Sequence, residues 1–251
     1  AVIKELNHIG IRAGDFEKTL DFYQQTLGGT IIRDSRSLDG KSRFVYIQLG
    51  DGVIELLSSK PGETNLGLQH VAFLVNVDLN QAYETLLAQG LVFTVQPRLA
   101  GSGNGYLAFF REPGGAVFEL IQREENIRIP DLKNDVLLVF ASSTIEVSPD
   151  TFEPCAAFYR GPMGFSAGPV NETVRGRVQH FRHGRDTIEL AEGTANPPLT
   201  RLTFQVASCS AMRDRLLEQG LSCDMSQASA ERILDAVGPD GVLLRFVETP
   251  V

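Results

Sequence analysis

Two periodicities alternate along this chain, one of strands and one of helices, and their order recurs. Leu6 to Ile11 alternates with a period of two and predicts a strand. Asp15 is placed to cap a helix whose apolar positions Phe16, Leu20, Tyr23 and Leu27 keep helical spacing, and Gly28-Gly29 closes it. Three strand-like runs follow, at 29–35, 43–49 and 53–57. The pattern then restarts with a strand over 68–75, a helix from the cap Asp78 through Gln89, and Gly90 as its stop. Further strands are predicted near 92–97, 106–110 and 116–121. The order is strand, helix, three strands, twice over, and the remaining chain repeats the pair with helices near 151–160 and 209–219. Four βαβββ units predict an α+β fold with strongly curved sheets.

The two halves also match residue by residue. Leu86-Leu87-Ala88-Gln89-Gly90-Leu91 recurs as Leu216-Leu217-Glu218-Gln219-Gly220-Leu221, an offset of 130. Phe22-Tyr23 recurs as Phe158-Tyr159, Ile54-Glu55-Leu56 as Ile188-Glu189-Leu190, and Pro113-Gly114-Gly115 as Pro239-Asp240-Gly241. Matches in one order at offsets between 126 and 136 predict two homologous domains, 1–125 and 126–251, joined by the polar stretch 123–134.

Four ionisable residues occupy corresponding places in the first half. His8 and His70 lie in the first strand of each βαβββ unit, Glu55 and Glu119 in the last. Alternation puts each on an apolar strand face, where an unpaired charge costs several kcal/mol. A divalent cation would satisfy all four, and two carboxylate–histidine pairs would satisfy them too.

Charge and composition narrow the partners. A net charge of −8 and a pI near 5.1 disfavour a phosphate backbone, so nucleic acid is not expected. The longest apolar runs, such as 136–141, are too short to span a bilayer, and Ala1 opens no signal-peptide pattern, so no membrane is expected as a partner. Cys155, Cys209 and Cys223 have no metal-type spacing, and their odd number argues against a disulfide framework. They read as idle thiols of a cytoplasmic protein.

The motifs His8-Ile9-Gly10-Ile11, Phe22-Tyr23 with Leu27-Gly28, Ile54-Glu55-Leu56, His70-Val71-Ala72-Phe73 and Pro113-Gly114-Gly115 leading to Phe118-Glu119-Leu120 resemble the vicinal oxygen chelate superfamily. That superfamily includes glyoxalase I, methylmalonyl-CoA epimerase, resistance proteins and extradiol dioxygenases. The resemblance covers residues 4–123 well and 135–248 more weakly. It implies paired βαβββ units forming two cupped mixed-sheet half-barrels, and one divalent ion (Zn, Ni, Co, Mn or Fe) held by His8, Glu55, His70 and Glu119. The implied activity is that of an isomerase or epimerase acting on a small hydroxycarbonyl or acyl substrate through a metal-stabilised enolate, with Glu119 and Glu55 as proton shuttles. A glyoxalase I (lactoylglutathione lyase) reaction, an extradiol ring cleavage and non-enzymatic small-molecule binding are the alternatives. Arg12, four residues after His8, matches an arginine that glyoxalase I uses for a glutathione carboxylate; an expected asparagine is replaced by Ser59. The loop 100–105 reads equally as a lid or a plain hairpin connection.

The second half departs from the pattern. Arg201 aligns with His70, Arg245 with Glu119 and Glu189 with Glu55, while the strand expected to match that of His8 is 136–140. Guanidinium groups do not ligate cations, so this half is expected to be metal-free, with Glu189 bridging Arg201 and Arg245. His180 and His183 are expected on a surface strand. Ligands from within the first half suffice for one site, and exchange between identical subunits of a homodimer stays open.

Overall fold

The computed structural model describes residues 2–249. The first βαβββ unit comprises β1 (Ile3–Ala13), α1 (Phe16–Asp21), β2 (Thr30–Arg36), β3 (Arg43–Leu49) and β4 (Gly52–Ser58). The second comprises β5 (Gly67–Val75), α2 (Leu79–Leu87), β6 (Phe93–Leu99), β7 (Tyr106–Arg111) and β8 (Val117–Gln122). Together they form an eight-stranded cupped sheet in the order β2-β3-β4-β1-β5-β8-β7-β6. Hairpins within each unit are antiparallel, whereas β5 and β8 run parallel, so the sheet is mixed.

The pattern repeats from β9 (Val139–Val147) and α3 (Pro149–Arg160) through β10 (Ser166–Thr173), β11 (Gly176–His183) and β12 (Asp186–Glu192). It closes with β13 (Leu199–Gln205), α4 (Cys209–Glu218), β14 (Cys223–Ala228), β15 (Glu231–Val237) and β16 (Leu243–Glu248). The order β10-β11-β12-β9-β13-β16-β15-β14 reproduces the first sheet strand for strand.

Local chemistry explains the element ends. Asp15 accepts from the Lys18 amide at 3.2 Å, Asp78 from the Asn80 amide at 2.9 Å, and the Ser208 hydroxyl from the Ala211 amide at 3.1 Å. Each fills one of the donors that a helix start leaves unpaired. The helix expected to run from Asp15 to Leu27 is divided: α1 passes at Phe22 into a single π turn, Phe22–Thr26. Phe22, Tyr23 and Thr26 of this turn are buried. Gly28 and Gly164 end the corresponding helical segments with φ of 70° and 71°, a conformation that favours glycine in both copies.

The strand expected at 136–140 lies instead at β9, and residues 123–138 contain neither helix nor strand. Within that connection Ile127 packs on Tyr46 and Val53. The Gln48 amide donates to the Ile129 carbonyl at 2.9 Å and accepts from its N–H at the same distance.

The chain divides into two compact units, each drawing on both halves of the sequence. The unit of residues 1–9, 69–126 and 143–200 has an aromatic core. Phe118 lies 4.9 Å from Phe73 and 6.1 Å from Tyr159, and Tyr159 lies 5.1 Å from Phe181, ring centroid to ring centroid. Buried in this core, the Glu112 carboxylate accepts from the Tyr159 hydroxyl at 3.2 Å, the Cys155 thiol at 3.3 Å and the Ala116 amide at 2.9 Å. Burial pushes the Glu112 carboxyl up despite these donors. The unit of residues 10–68, 127–142 and 201–251 packs Phe204 against Phe140 and Phe246. There Asp240 accepts from the Gly14 amide at 2.9 Å and the Thr19 hydroxyl at 2.7 Å. Cys155 and Cys209 are buried, Cys223 is half-buried, and all three are free. No helix among the described residues is long and apolar enough to cross a membrane.

Candidate metal centre

His8, Glu55, His70 and Glu119 stand on four consecutive strands of the first sheet, β1, β4, β5 and β8, in the spatial order β4-β1-β5-β8. The structure brings all four together: one ligand atom from each lies within 4.8 Å of the others. They are buried, with exposures of 0%, 7%, 6% and 4%. His8 Nε2 is 3.1 Å from His70 Nε2, and Glu119 Oε2 is 3.1 Å from His70 Nε2 and 3.4 Å from His8 Nε2.

These distances fit a shared cation. Imidazole nitrogens and carboxylate oxygens bind divalent ions at about 2.0–2.2 Å, which sets neighbouring donors about 3 Å apart and opposite donors a little over about 4 Å apart. The Glu119 Oε2 approaches to the two imidazoles lack hydrogen-bond alignment, so this buried oxygen points between the rings without a hydrogen-bond partner. Two facing imidazole nitrogens can share only one proton, and a cation needs none. Two nitrogens and two oxygens also leave coordination positions for water or substrate. Burial pushes the Glu119 carboxyl up, but the His70 and then the His8 nitrogens outweigh it and hold the group below its usual range.

The surroundings add residues that the sequence analysis did not single out. His8 Nδ1 lies 2.9 Å from the Oδ1 of Asn7, which is completely buried. Phe109 is the cross-strand partner of Glu119 and meets His70 edge-on at 5.6 Å; Tyr46 is the cross-strand partner of Glu55. An amide directly before a strand histidine was the available signal for Asn7. Arg12 follows His8 by two steps along the same strand face, and its guanidinium donates to the Ser58 carbonyl at 3.2 Å.

The second half has a different chemistry at the matching positions. In β9, Thr144 pairs with Glu189 and donates its hydroxyl at 2.8 Å, so Thr144 corresponds to His8. His180 Nε2 also approaches Glu189 Oε2, at 3.1 Å, so this half-exposed strand histidine meets Glu189 from the neighbouring strand. The Arg245 fork is taken by Asp235, at 2.7 and 2.8 Å, a partner the match between the halves did not suggest. His183 reaches the Lys4 carbonyl at 2.9 Å.

Two cupped sheets of βαβββ units around a buried two-histidine, two-carboxylate cluster define the class as a vicinal oxygen chelate fold. The family model of the Glyoxalase/Bleomycin resistance protein/Dioxygenase superfamily matches residues 5–120. A lactoylglutathione lyase of Neisseria meningitidis is 30% identical over 125 residues, covering 47% of this chain and 91% of that protein. A probable lactoylglutathione lyase of Vibrio cholerae is 29% identical, covering 47% and 90%. The chain belongs to the glyoxalase/bleomycin resistance protein/dioxygenase superfamily.

Solved structures share the whole architecture. The Mn(II)-bound glyoxalase of Novosphingobium aromaticivorans superposes with a TM-score of 0.72 at 17% identity, over 98% of this chain and 82% of that one. The 2,3-dioxygenase LapB of Pseudomonas sp. KL28 superposes with a TM-score of 0.73 at 14% identity, over 100% and 94%. At these identities the likeness concerns the fold alone.

Proposed function

We propose that the protein is a divalent-metal-dependent enzyme of the glyoxalase type, moving a proton between the two carbons of a small hydroxycarbonyl compound. The observation that carries this reading is the convergence of His8, Glu55, His70 and Glu119 in one buried cluster. The lactoylglutathione lyases among the relatives point to the adduct of a 2-oxoaldehyde with a thiol as the substrate class.

A divalent ion bound by the four side chains would supply Lewis acidity toward the substrate's adjacent oxygens. Glu119, held below its usual range, is ionised at neutral pH and can accept the proton from the carbon bearing hydroxyl and sulfur. The electron pair released from that C–H bond forms the double bond to the neighbouring carbon. As that double bond forms, the carbonyl π pair moves onto its oxygen; return of the proton to that neighbouring carbon, with the hydroxyl proton passing from the first oxygen to the second, completes a hydroxyacyl thioester with no oxidant and no net proton change. The burial of the cluster excludes water that would exchange or misdirect the proton. The role proposed for Arg12, on the same strand face as His8, is to receive a substrate carboxylate.

Glu55 and Glu119 flank the two histidine strands from either side, and this favours one second reading. With a base on each side, a proton taken from one face can be returned to the other, which is epimerisation.

Metal-replete protein incubated in deuterium oxide with a 2-oxoaldehyde and a thiol tests both readings. Thioester formation supports the first, and deuterium exchange with inversion of a hydroxyacyl compound supports the second. Glu119→Gln should cut either reaction about a hundredfold or more, the scale of a lost general base. Oxygen consumption with catechols and no proton exchange would replace both readings with ring cleavage.

A further inference from the structure

We propose that Asn7 is a positioning residue for the metal centre, fixing His8 in the tautomer whose Nε2 lone pair faces the cluster. This role rests on the metal reading above and concerns how one ligand is prepared for the ion.

An imidazole can offer Nε2 to a cation only if Nε2 carries no proton, so the ring proton must sit on Nδ1. His8 Nδ1 faces the Oδ1 of Asn7 at 2.9 Å, and a carbonyl oxygen accepts but cannot donate. In this arrangement Nδ1 must be the N–H, and Nε2 is left as the acceptor. That same Nε2 lies 3.1 Å from His70 Nε2 and 3.4 Å from Glu119 Oε2, inside the cluster.

Two further observations argue against a merely structural amide. By strand alternation Asn7 falls in the row of Ile3, Glu5, Ile9, Ile11 and Ala13, of which Glu5 is half-buried and the other four are buried and apolar. Its Nδ2 has no hydrogen-bond partner, although the side chain is completely buried. The end of the amide that is hydrogen-bonded is the one that meets the histidine. The second half supplies the internal comparison. An offset of 136 carries Tyr23 onto Tyr159, Asn7 onto Ser143 and His8 onto Thr144. Where the histidine is replaced, the residue before it is no longer an amide.

The orienting carbonyl acts as the outer partner that metal-bound histidines generally require, and losing such a partner typically costs about 10–100-fold in metal affinity. The experiment compares wild type, Asn7→Leu and Asn7→Asp, each stripped and titrated with zinc, nickel or manganese against a competing chelator. Long-range proton–nitrogen spectra of the His8 ring and melting of the metal-free proteins accompany the titration. Asn7→Leu should weaken metal binding about 10–100-fold and abolish the dominance of the Nδ1–H tautomer, without lowering the melting temperature of the metal-free protein. Asn7→Asp, which keeps an acceptor at the same place, should retain the tautomer and restore tight binding. Wild-type affinity in Asn7→Leu would overturn the proposal, as would an Nε2–H tautomer in metal-free wild type. A wild-type protein that binds no metal but shows the Nδ1–H tautomer would instead overturn the metal reading.

Discussion

Removing the buried Glu112 carboxylate should cost about as much stability as truncating a large apolar core side chain. In Glu112→Ala the Ala116 amide and the Tyr159 hydroxyl lose their acceptor in a buried core. Each buried donor left unpaired costs about 1–3 kcal/mol. The thiol of Cys155 is a weak donor and adds little. The sum is about 3–5 kcal/mol once partial relaxation is allowed. For a chain of this size that corresponds to a fall of about 6–20 °C in Tm. Urea unfolding followed by far-ultraviolet circular dichroism would read the loss directly. Tyr159→Phe should cost only about 1 kcal/mol, because it removes donor and acceptor contact without orphaning a backbone group. The double variant should be less destabilised than the sum of the singles. The pH dependence supplies a sign test. Burial raises the Glu112 carboxyl in the folded state, so its contribution is fully present below the unfolded value and is lost as pH rises through the folded one. The stability of Glu112→Gln relative to wild type should therefore improve as pH rises above about 4.5, the ordinary glutamate region. A loss below about 1 kcal/mol in Glu112→Ala, under the cost of one orphaned donor, or a relative stability that falls with pH, would refute this account of the cluster.

His70→Ala should remove bound metal and activity together while leaving the far-ultraviolet spectrum unchanged, as atomic absorption of the purified variant would show. Arg12→Ala should raise KM for a substrate carrying a carboxylate while leaving kcat within a few-fold, since the role proposed for Arg12 is to hold the substrate and not to move the proton. Asp240→Ala should lower stability by about 1–2 kcal/mol in urea unfolding, having lost acceptors for the Gly14 amide and the Thr19 hydroxyl.

The four residues of the cluster were legible because ionisable side chains stand at equivalent places in strands that otherwise read as apolar. The repeat revealed the pairing of units, and the cap residues Asp15 and Asp78 marked the helix starts. The register of the third unit was not legible. Residues 136–140 are apolar and looked like the strand, whereas β9 carries Ser142, Ser143 and Thr144 in its buried centre. Hydrophobicity outweighed spacing there: the offset of 136 that carries Tyr23 onto Tyr159 also carries His8 onto Thr144, and the pairing of Thr144 with Glu189 agrees with it. Asp235 was missed for a related reason. It lies across the sheet from Arg245 and ten residues away in sequence, and an offset between halves carries no information about cross-strand neighbours. The π turn at Phe22–Thr26 was invisible because it changes hydrogen-bond partners and leaves the residue pattern intact.

The acceptor contributed by Asp240 sets different evolutionary latitudes on two parts of the C-terminal repeat. On the proposed reading one copy of the duplicated domain holds the ion, so the matching positions in the other copy carry no such duty; they are Thr144, Glu189, Arg201 and Arg245. The turn that carries Asp240 has no such freedom, because it serves the first turns of the helix that follows His8's strand. Substitutions should therefore accumulate readily on the second cup's lining and sparsely at this turn. A random mutagenesis library selected only for soluble expression would display that contrast without any substrate being known.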